Sequence, residues 1–98
     1  MKDNKTRVLY VEDEEVLAML VRDHLTRSGF EVVWTPDGNE AERLWAESKP
    51  ALCILDIMLP GKSGYEIGKA IRKVDKDVPI IFLTAKSEAK DVVEGFKS

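Results

Sequence analysis

The chain has 98 residues, of which 44% are hydrophobic and 34% are charged, and its formal net charge is −3. These values are ordinary for one small soluble domain with a single core, and the acidic balance argues against nucleic-acid binding, which would require a basic patch. No apolar run approaches the roughly 20 residues that span a bilayer, so we expect no membrane contact. There is no secretory signal pattern, and the single Cys53 cannot form an internal disulfide. We therefore expect a cytoplasmic protein.

The first segment of the chain has the pattern of a strand followed by a helix. Arg7 to Val11 predicts the strand, which stops at the acidic cluster Glu12 to Glu15. Gly29 stands where a left-handed helix end is expected. The helix between them carries an apolar stripe at helical spacing, made of Val16, Leu17, Leu20, Val21 and Leu25.

A second strand and a second helix follow in the same order. Glu31 to Thr35 predicts the strand, and Asp37 in the turn after it can cap a helix over about 39–48. Trp34 and Trp45 are expected to pack rather than to bind a ligand. The residues expected to face inward from this helix are Ala41, Leu44, Trp45 and Ala46.

The stretch from Leu52 to Gly64 combines an apolar run with a polar end. The run is too short for a helix and stands between Lys49-Pro50 and Pro60-Gly61, which is typical of a strand buried on both faces of a parallel sheet. It ends in Asp56. Because open α/β sheets bind ligands beyond the carboxyl ends of their strands, Asp56 is the candidate working residue.

The last third of the chain predicts two helices around a fourth strand. Ser63 and Glu66 have the spacing of a capping box, which places a helix at about 64–74. Val78 to Thr84 predicts a buried strand that ends at a hydroxyl group, and a last helix follows over 88–97. Strands that alternate with helices predict a doubly wound α/β fold with a parallel sheet. The residues expected to face inward from the third helix are Ile67, Ala70, Ile71 and Val74.

Polar groups stand at three of the predicted strand ends. They are Glu12 with Asp13, then Asp56, then Thr84. If the strands are neighbours, their ends converge on one pocket, where the carboxylates repel one another unless a cation lies among them. Oxygen ligands of this kind suit Mg²⁺, which keeps several waters and shares a phosphate. A carboxylate beside Mg²⁺ and a hydroxyl group is suited to accepting a phosphoryl group.

Three motifs resemble those of one family. YVEDEE after the first strand, LDIMLPGKSGYE around Asp56 and PIIFLTAK at the fourth strand together resemble the receiver domain of two-component response regulators. The match runs in register over essentially the whole chain, and the three strand ends are specific in combination. The resemblance implies one receiver domain over residues 1–98. It also implies a flavodoxin-like sheet of strand order 2-1-3-4-5.

The resemblance further implies how the acidic pocket works. Asp56 would accept a phosphoryl group from the phosphohistidine of a sensor histidine kinase or a phosphotransfer protein. Asp13 and Asp56 would bind Mg²⁺ directly. The backbone carbonyl of Met58 would be a further ligand, and Glu12 would act through a water molecule.

Two more residues receive roles from the resemblance. Thr84 would turn its hydroxyl group to the phosphoryl oxygens, and Ala85 would leave room for the phosphodonor. The bulky side chain of Met58 would shield the aspartyl phosphate from water, which predicts a longer phosphoryl lifetime than an open site would give.

One part of the family pattern has no match. Receiver domains continue into a fifth strand and helix, which carry an active-site lysine and an aromatic switch residue, whereas the sequence stops at Ser98. Lys86 and Lys90 lie on the wrong segment to supply that lysine. We therefore expect a receiver domain that is C-terminally incomplete, with an apolar fourth strand open to self-association.

Two alternatives remain at this point. A phosphatase of the haloacid-dehalogenase type also uses a strand-end aspartate and Mg²⁺, but it requires a second acid where this chain has Met58. The other alternative is an interaction module that is not phosphorylated, or a swapped or truncated fragment without function. Phosphotransfer to Asp56 separates it from the expected function, which is a phosphorylation-controlled switch rather than a metabolic enzyme.

Overall fold

The computed structural model describes residues 5–83, which contain four strands, three α-helices and one short 3₁₀ helix. In chain order these are β1 (Arg7–Val11), α1 (Glu15–Arg27), β2 (Glu31–Thr35), the 3₁₀ helix (Gly38–Glu40), α2 (Ala41–Ser48), β3 (Leu52–Asp56), α3 (Gly64–Val74) and β4 (Ile80–Leu83). Within this part of the chain, no helix is long and apolar enough to cross a membrane.

The four strands form one parallel sheet in the order β2-β1-β3-β4. This confirms the doubly wound α/β fold and the first four positions of the expected order. The central strands β1 and β3 are the most buried, as the apolar run before Asp56 predicted. Parallel strands need crossover connections, and in this sheet the crossovers contain the helices.

Each face of the sheet is covered by different helices. Leu9 and Val11 of β1 point to the face that packs against α2 and α3, through residues such as Ile67. Val8 and Tyr10 point to the opposite face, which packs against α1. Because side chains alternate along a strand, a slip of β1 by one residue would exchange the two cores, so this packing sets the register.

The predicted ends of α2 and α3 are largely confirmed. Asp37 accepts a hydrogen bond from the backbone N–H of Asn39 at 2.9 Å, but it caps a 3₁₀ turn, and the α-helix begins only at Ala41. Ser63 and Glu66 form the predicted capping box at the start of α3. Their two reciprocal hydrogen bonds are 3.1 and 3.2 Å long.

The predicted inward faces of the helices need correction. In α1 the residues that pack on the sheet are Ala18, Val21 and Leu25, whereas Val16 and Leu20 are exposed. Each of those two lies two positions from Ala18. Two positions turn a helix by about 200°, which places them on the far side.

Two further errors fall in the other helices, one from the same rotation and one from a position at the helix end. Ala46 lies two positions beyond the inward-facing Leu44 and is exposed. Val74 is the last residue of α3, one turn beyond the buried Ile71, and 72% of its surface is exposed.

The fourth strand also differs from the prediction. It begins at Ile80 rather than Val78, and Ile81 and Phe82 are 46% and 38% exposed, so the prediction of a buried strand is wrong. The Phe82 ring packs at 5.0 Å from the ring of Tyr65 on α3. Thr84 and the predicted helix over 88–97 lie outside the described residues.

The start of α3 packs directly on the end of β3. The backbone N–H of Gly64 donates to the carbonyl of Ile57 at 3.1 Å. A Cβ atom at Gly64 would overlap the backbone carbonyl of Asp56. A Cβ atom at Gly68, one turn later, would instead meet the ring of Phe82 at 2.8 Å.

We predict that Gly64→Ala destabilises the protein and Gly68→Ala does not. Backbone at Asp56 cannot yield to the new methyl group, so the free energy of unfolding should fall by about 1–3 kcal/mol. The half-exposed Phe82 ring can move, and alanine gains about 1 kcal/mol of helix propensity over glycine, so Gly68→Ala should be near neutral. Urea denaturation followed by circular dichroism measures both. Equal losses for the two variants would contradict the prediction.

Candidate metal centre

The acidic residues predicted to share a pocket meet at the carboxyl ends of β1 and β3. These strands are parallel neighbours, with Val11 paired to Leu55. The residues that follow on the two strands, Glu12 and Asp56, therefore lie side by side. One carboxylate oxygen each from Glu12, Asp13 and Asp56 lies within 4.8 Å of the others. Residues far apart in sequence are thus brought together by the sheet.

The main chain orients two of these carboxylates. The backbone N–H of Met58 donates to Oδ1 of Asp56 at 3.1 Å. The backbone N–H of Glu14 donates to Oε2 of Glu12, also at 3.1 Å. Both carboxylates are fully buried, and buried charges require such partners because they have lost their water. Asp13 is only partly buried.

The cluster fits a small divalent cation. Buried carboxylates at this spacing repel one another, and a cation between them removes the repulsion. Mg²⁺ binds oxygen at 2.0–2.1 Å, so two of its ligands are at most about 4.2 Å apart. The observed limit of 4.8 Å is slightly wider. The spacing is therefore close to that of a shared Mg²⁺ ligand set, and the direct role of Asp13 and Asp56 and the water-mediated role of Glu12 stay predictions.

The other predicted site residues have different outcomes. Met58 follows Asp56 by two positions, and 58% of its side chain is exposed. The roles of its backbone carbonyl and its side chain stay predictions. Thr84 and Ala85 lie outside the described residues, and so do Lys86 and Lys90.

Sequence reasoning missed two aromatic residues next to the pocket. Tyr10 and Trp34 are paired across β1 and β2 and share the face that packs against α1. The Trp34 indole N–H donates to the backbone carbonyl of Glu12 at 2.9 Å. Trp34 was expected only to pack. Its position one residue before the end of β2, opposite Tyr10, is the signal that places it near the acidic loop.

The Tyr10 side chain interacts with the acidic cluster through Glu12. Its hydroxyl group is fully buried and has no hydrogen bond of standard geometry within residues 5–83. Burial raises the pKa of Tyr10, and the negative charges of Glu12 and Asp56 and a side-chain interaction with Glu12 raise it further. Tyr10 therefore stays protonated and presents a hydrogen-bond donor to the acidic residues.

Comparison with known proteins identifies the family. The model of the response regulator receiver domain matches residues 8–98. The chain belongs to this family. RprY of Bacteroides fragilis, a transcriptional regulatory protein, is 40% identical over 95 residues, which are 97% of this chain and 40% of RprY. The chain spans about two fifths of the length of the curated relatives it matches.

Solved receiver domains share the fold. The response regulator TrrA of Thermotoga maritima, crystallised with Mg²⁺ and BeF, is 35% identical with a TM-score of 0.79, covering 95% of this chain and 81% of TrrA. A complex of TrrA with the histidine kinase ThkA gives 39% identity and a TM-score of 0.77, covering 86% of this chain and 72% of the matched one. The dehalogenase-type alternative is set aside by the family assignment.

We predict that Asp13→Asn stabilises this receiver domain without metal and removes its response to metal. Loss of one charge reduces the repulsion in the cluster, which should raise the free energy of unfolding on the order of 1 kcal/mol in EDTA. The wild type should gain about 2.7 kcal/mol at a Mg²⁺ concentration 100 times its Kd. Thermal denaturation in EDTA and in MgCl₂ measures both effects.

Asp23→Asn is the matched control for Asp13→Asn. Asp23 is an exposed acid on α1 that pairs with Arg27, and exposed pairs contribute little to stability. It should therefore keep the full Mg²⁺ response. If Asp13→Asn also kept that response, Asp13 would not be a metal ligand.

Proposed function

We propose that this chain is the phosphoacceptor switch of a two-component response regulator, with Asp56 as the residue that is phosphorylated. The observation that carries the proposal is the fully buried Asp56 carboxylate at the end of β3, within 4.8 Å of the carboxylates of Glu12 and Asp13. Family membership supports it, since the match covers residues 8–98. In this role the domain is a signalling switch rather than a metabolic enzyme.

In the proposed reaction, a carboxylate oxygen of Asp56 attacks the phosphorus of a phosphohistidine. A P–O bond forms, the P–N bond breaks, and the imidazole of the donor keeps the electron pair. The N–H of Met58 holds the Asp56 carboxylate in place through Oδ1. A bound Mg²⁺ would neutralise the charge that three carboxylates and a phosphoryl group bring together. Glu12, Asp13, Asp56 and the Met58 carbonyl would hold it.

The proposed phosphodonor is a sensor histidine kinase or a phosphotransfer protein. The complex between TrrA and the histidine kinase ThkA supports this partner class. The Mg²⁺ and BeF in the other TrrA structure support a metal in the corresponding pocket here. RprY is named a transcriptional regulatory protein, and we extend control of transcription to the whole protein as part of the proposal.

The remaining parts of the proposal concern location and contacts. A cytoplasmic location agrees with a histidine kinase as donor. With a net charge of −3, we propose that this domain does not itself bind nucleic acid. Self-association through β4 stays a prediction. The exposed apolar side chains of Ile81 and Phe82 on this strand support it.

Phosphorylation of Asp56 is tested by mass spectrometry. The chain incubated with MgCl₂ and acetyl phosphate should gain the mass of one phosphoryl group, and Asp56→Asn or EDTA should abolish the gain. Asp37→Asn is the control, since Asp37 is an acid that caps the 3₁₀ turn instead. A folded wild type that gains no mass would contradict the proposal and favour the interaction module.

The lifetime of the phosphoryl group is tested by Met58→Asn. The exposed Met58 side chain follows the acceptor and, as an apolar group, should keep water from the aspartyl phosphate. We expect the substitution to speed dephosphorylation severalfold, as measured by loss of the mass adduct over time. Met19→Asn changes an equally exposed methionine on α1 and should leave the rate unaltered. An unchanged rate in Met58→Asn would show that shielding is absent.

A further inference from the structure

Trp34 lies beside the metal centre without belonging to its set of carboxylates. It is on β2, the strand next to β1, and its indole N–H reaches across to the loop that follows β1. There it donates to the backbone carbonyl of Glu12 at 2.9 Å. At 2.9 Å this is an ordinary N–H to oxygen hydrogen bond, made by a side chain to the main chain of a candidate metal ligand.

The last two residues of β2 hold the main chain of Glu12 from both sides. Trp34 binds the carbonyl of Glu12, and the carbonyl of Thr35 accepts from the N–H of Glu12 at 3.1 Å. Both peptide groups of Glu12 are therefore tied to β2. Because the second of these peptide groups links Glu12 to Asp13, its orientation sets the direction in which both carboxylates leave the main chain.

Trp34 is itself held in one orientation. The guanidinium group of Arg22 on α1 lies over its ring, 4.8 Å from the ring centre. Trp34 also packs against the buried cluster of Val8, Tyr10, Ala18 and Ile54. An indole fixed by α1 and by the sheet presents its N–H in a defined direction.

We propose that Trp34 is a positioning residue of the metal centre, which preorganises Glu12 and Asp13 for Mg²⁺ by holding the peptide group between them. The inference rests on the proposed function, since it assumes that these carboxylates bind the metal. Groups that orient metal ligands from outside typically change metal affinity by about 10–100-fold when they are removed.

Calorimetric titration of the full chain with MgCl₂ tests the inference. Trp34→Phe keeps an aromatic ring in the cluster and removes the N–H donor, and we expect its Mg²⁺ Kd to rise by about tenfold. Val32→Ala is the matched control. Val32 lies two residues earlier on the same face of β2 and packs on the same cluster, so the control loses packing but keeps the hydrogen bond. Its Mg²⁺ affinity should equal that of the wild type.

Fluorescence gives a second measurement that leaves Trp34 in place. The chain has 2 tryptophans, so in Trp45→Phe the emission comes from Trp34 alone. We expect that emission to change with added Mg²⁺ and the change to saturate with the Kd that calorimetry gives. In the double variant Trp45→Phe with Asp56→Asn, the emission should not respond to Mg²⁺. If Trp34→Phe does not fold, this measurement still tests the inference, because Trp34 emission that does not respond to saturating Mg²⁺ would overturn it.

The outcomes separate the inference from the function on which it rests. If the wild type does not bind Mg²⁺, the metal centre and the role of Trp34 fail together. If the wild type binds and Trp34→Phe binds equally well, only the positioning role is overturned. Equal losses in Trp34→Phe and Val32→Ala would assign the effect to packing and overturn it too. Trp34 emission that does not change at saturating Mg²⁺ would also overturn the positioning role.

Discussion

The parallel pairing of β1 with β3 is the constraint on which the site depends. The register that pairs Val11 with Leu55 brings the residues after β1 to the end of β3, where Asp56 stands. Two separate cores, one on each face of the sheet, maintain this register, because a slip by one residue would turn every apolar side chain to the wrong face. The packing of the interior thus determines which carboxylates meet.

Bringing carboxylates together costs free energy, and the surrounding main chain offsets part of that cost. The N–H groups of Met58 and Glu14 donate to Asp56 and Glu12, which compensates for the water that these buried groups have lost. Gly64 lets α3 begin against the main chain of Asp56. In the proposed function, the remaining repulsion would favour a bound cation, so the residues that destabilise the fold would also make it responsive to metal and phosphoryl groups.

Local patterns predicted the elements well and the helix faces less well. The bounds of β2, β3 and α3 agree with the structure because apolar period, turn residues and capping pairs are properties of neighbouring residues. The inward face of α1 was wrong at Val16 and Leu20. A five-residue apolar stripe is wide enough to permit several rotations of the helix, and in the observed one the small Ala18 is the buried residue.

The sequence by itself determined the order of strands and helices, the α/β class and the candidate role of Asp56, because each rests on residues close together in the chain. Only the tertiary structure decided that Glu12, Asp13 and Asp56 share one pocket and that Trp34 holds the main chain of Glu12. These contacts join different strands. Their distances depend on register, twist and the packing of both cores, which are properties of the whole sheet and of no single segment.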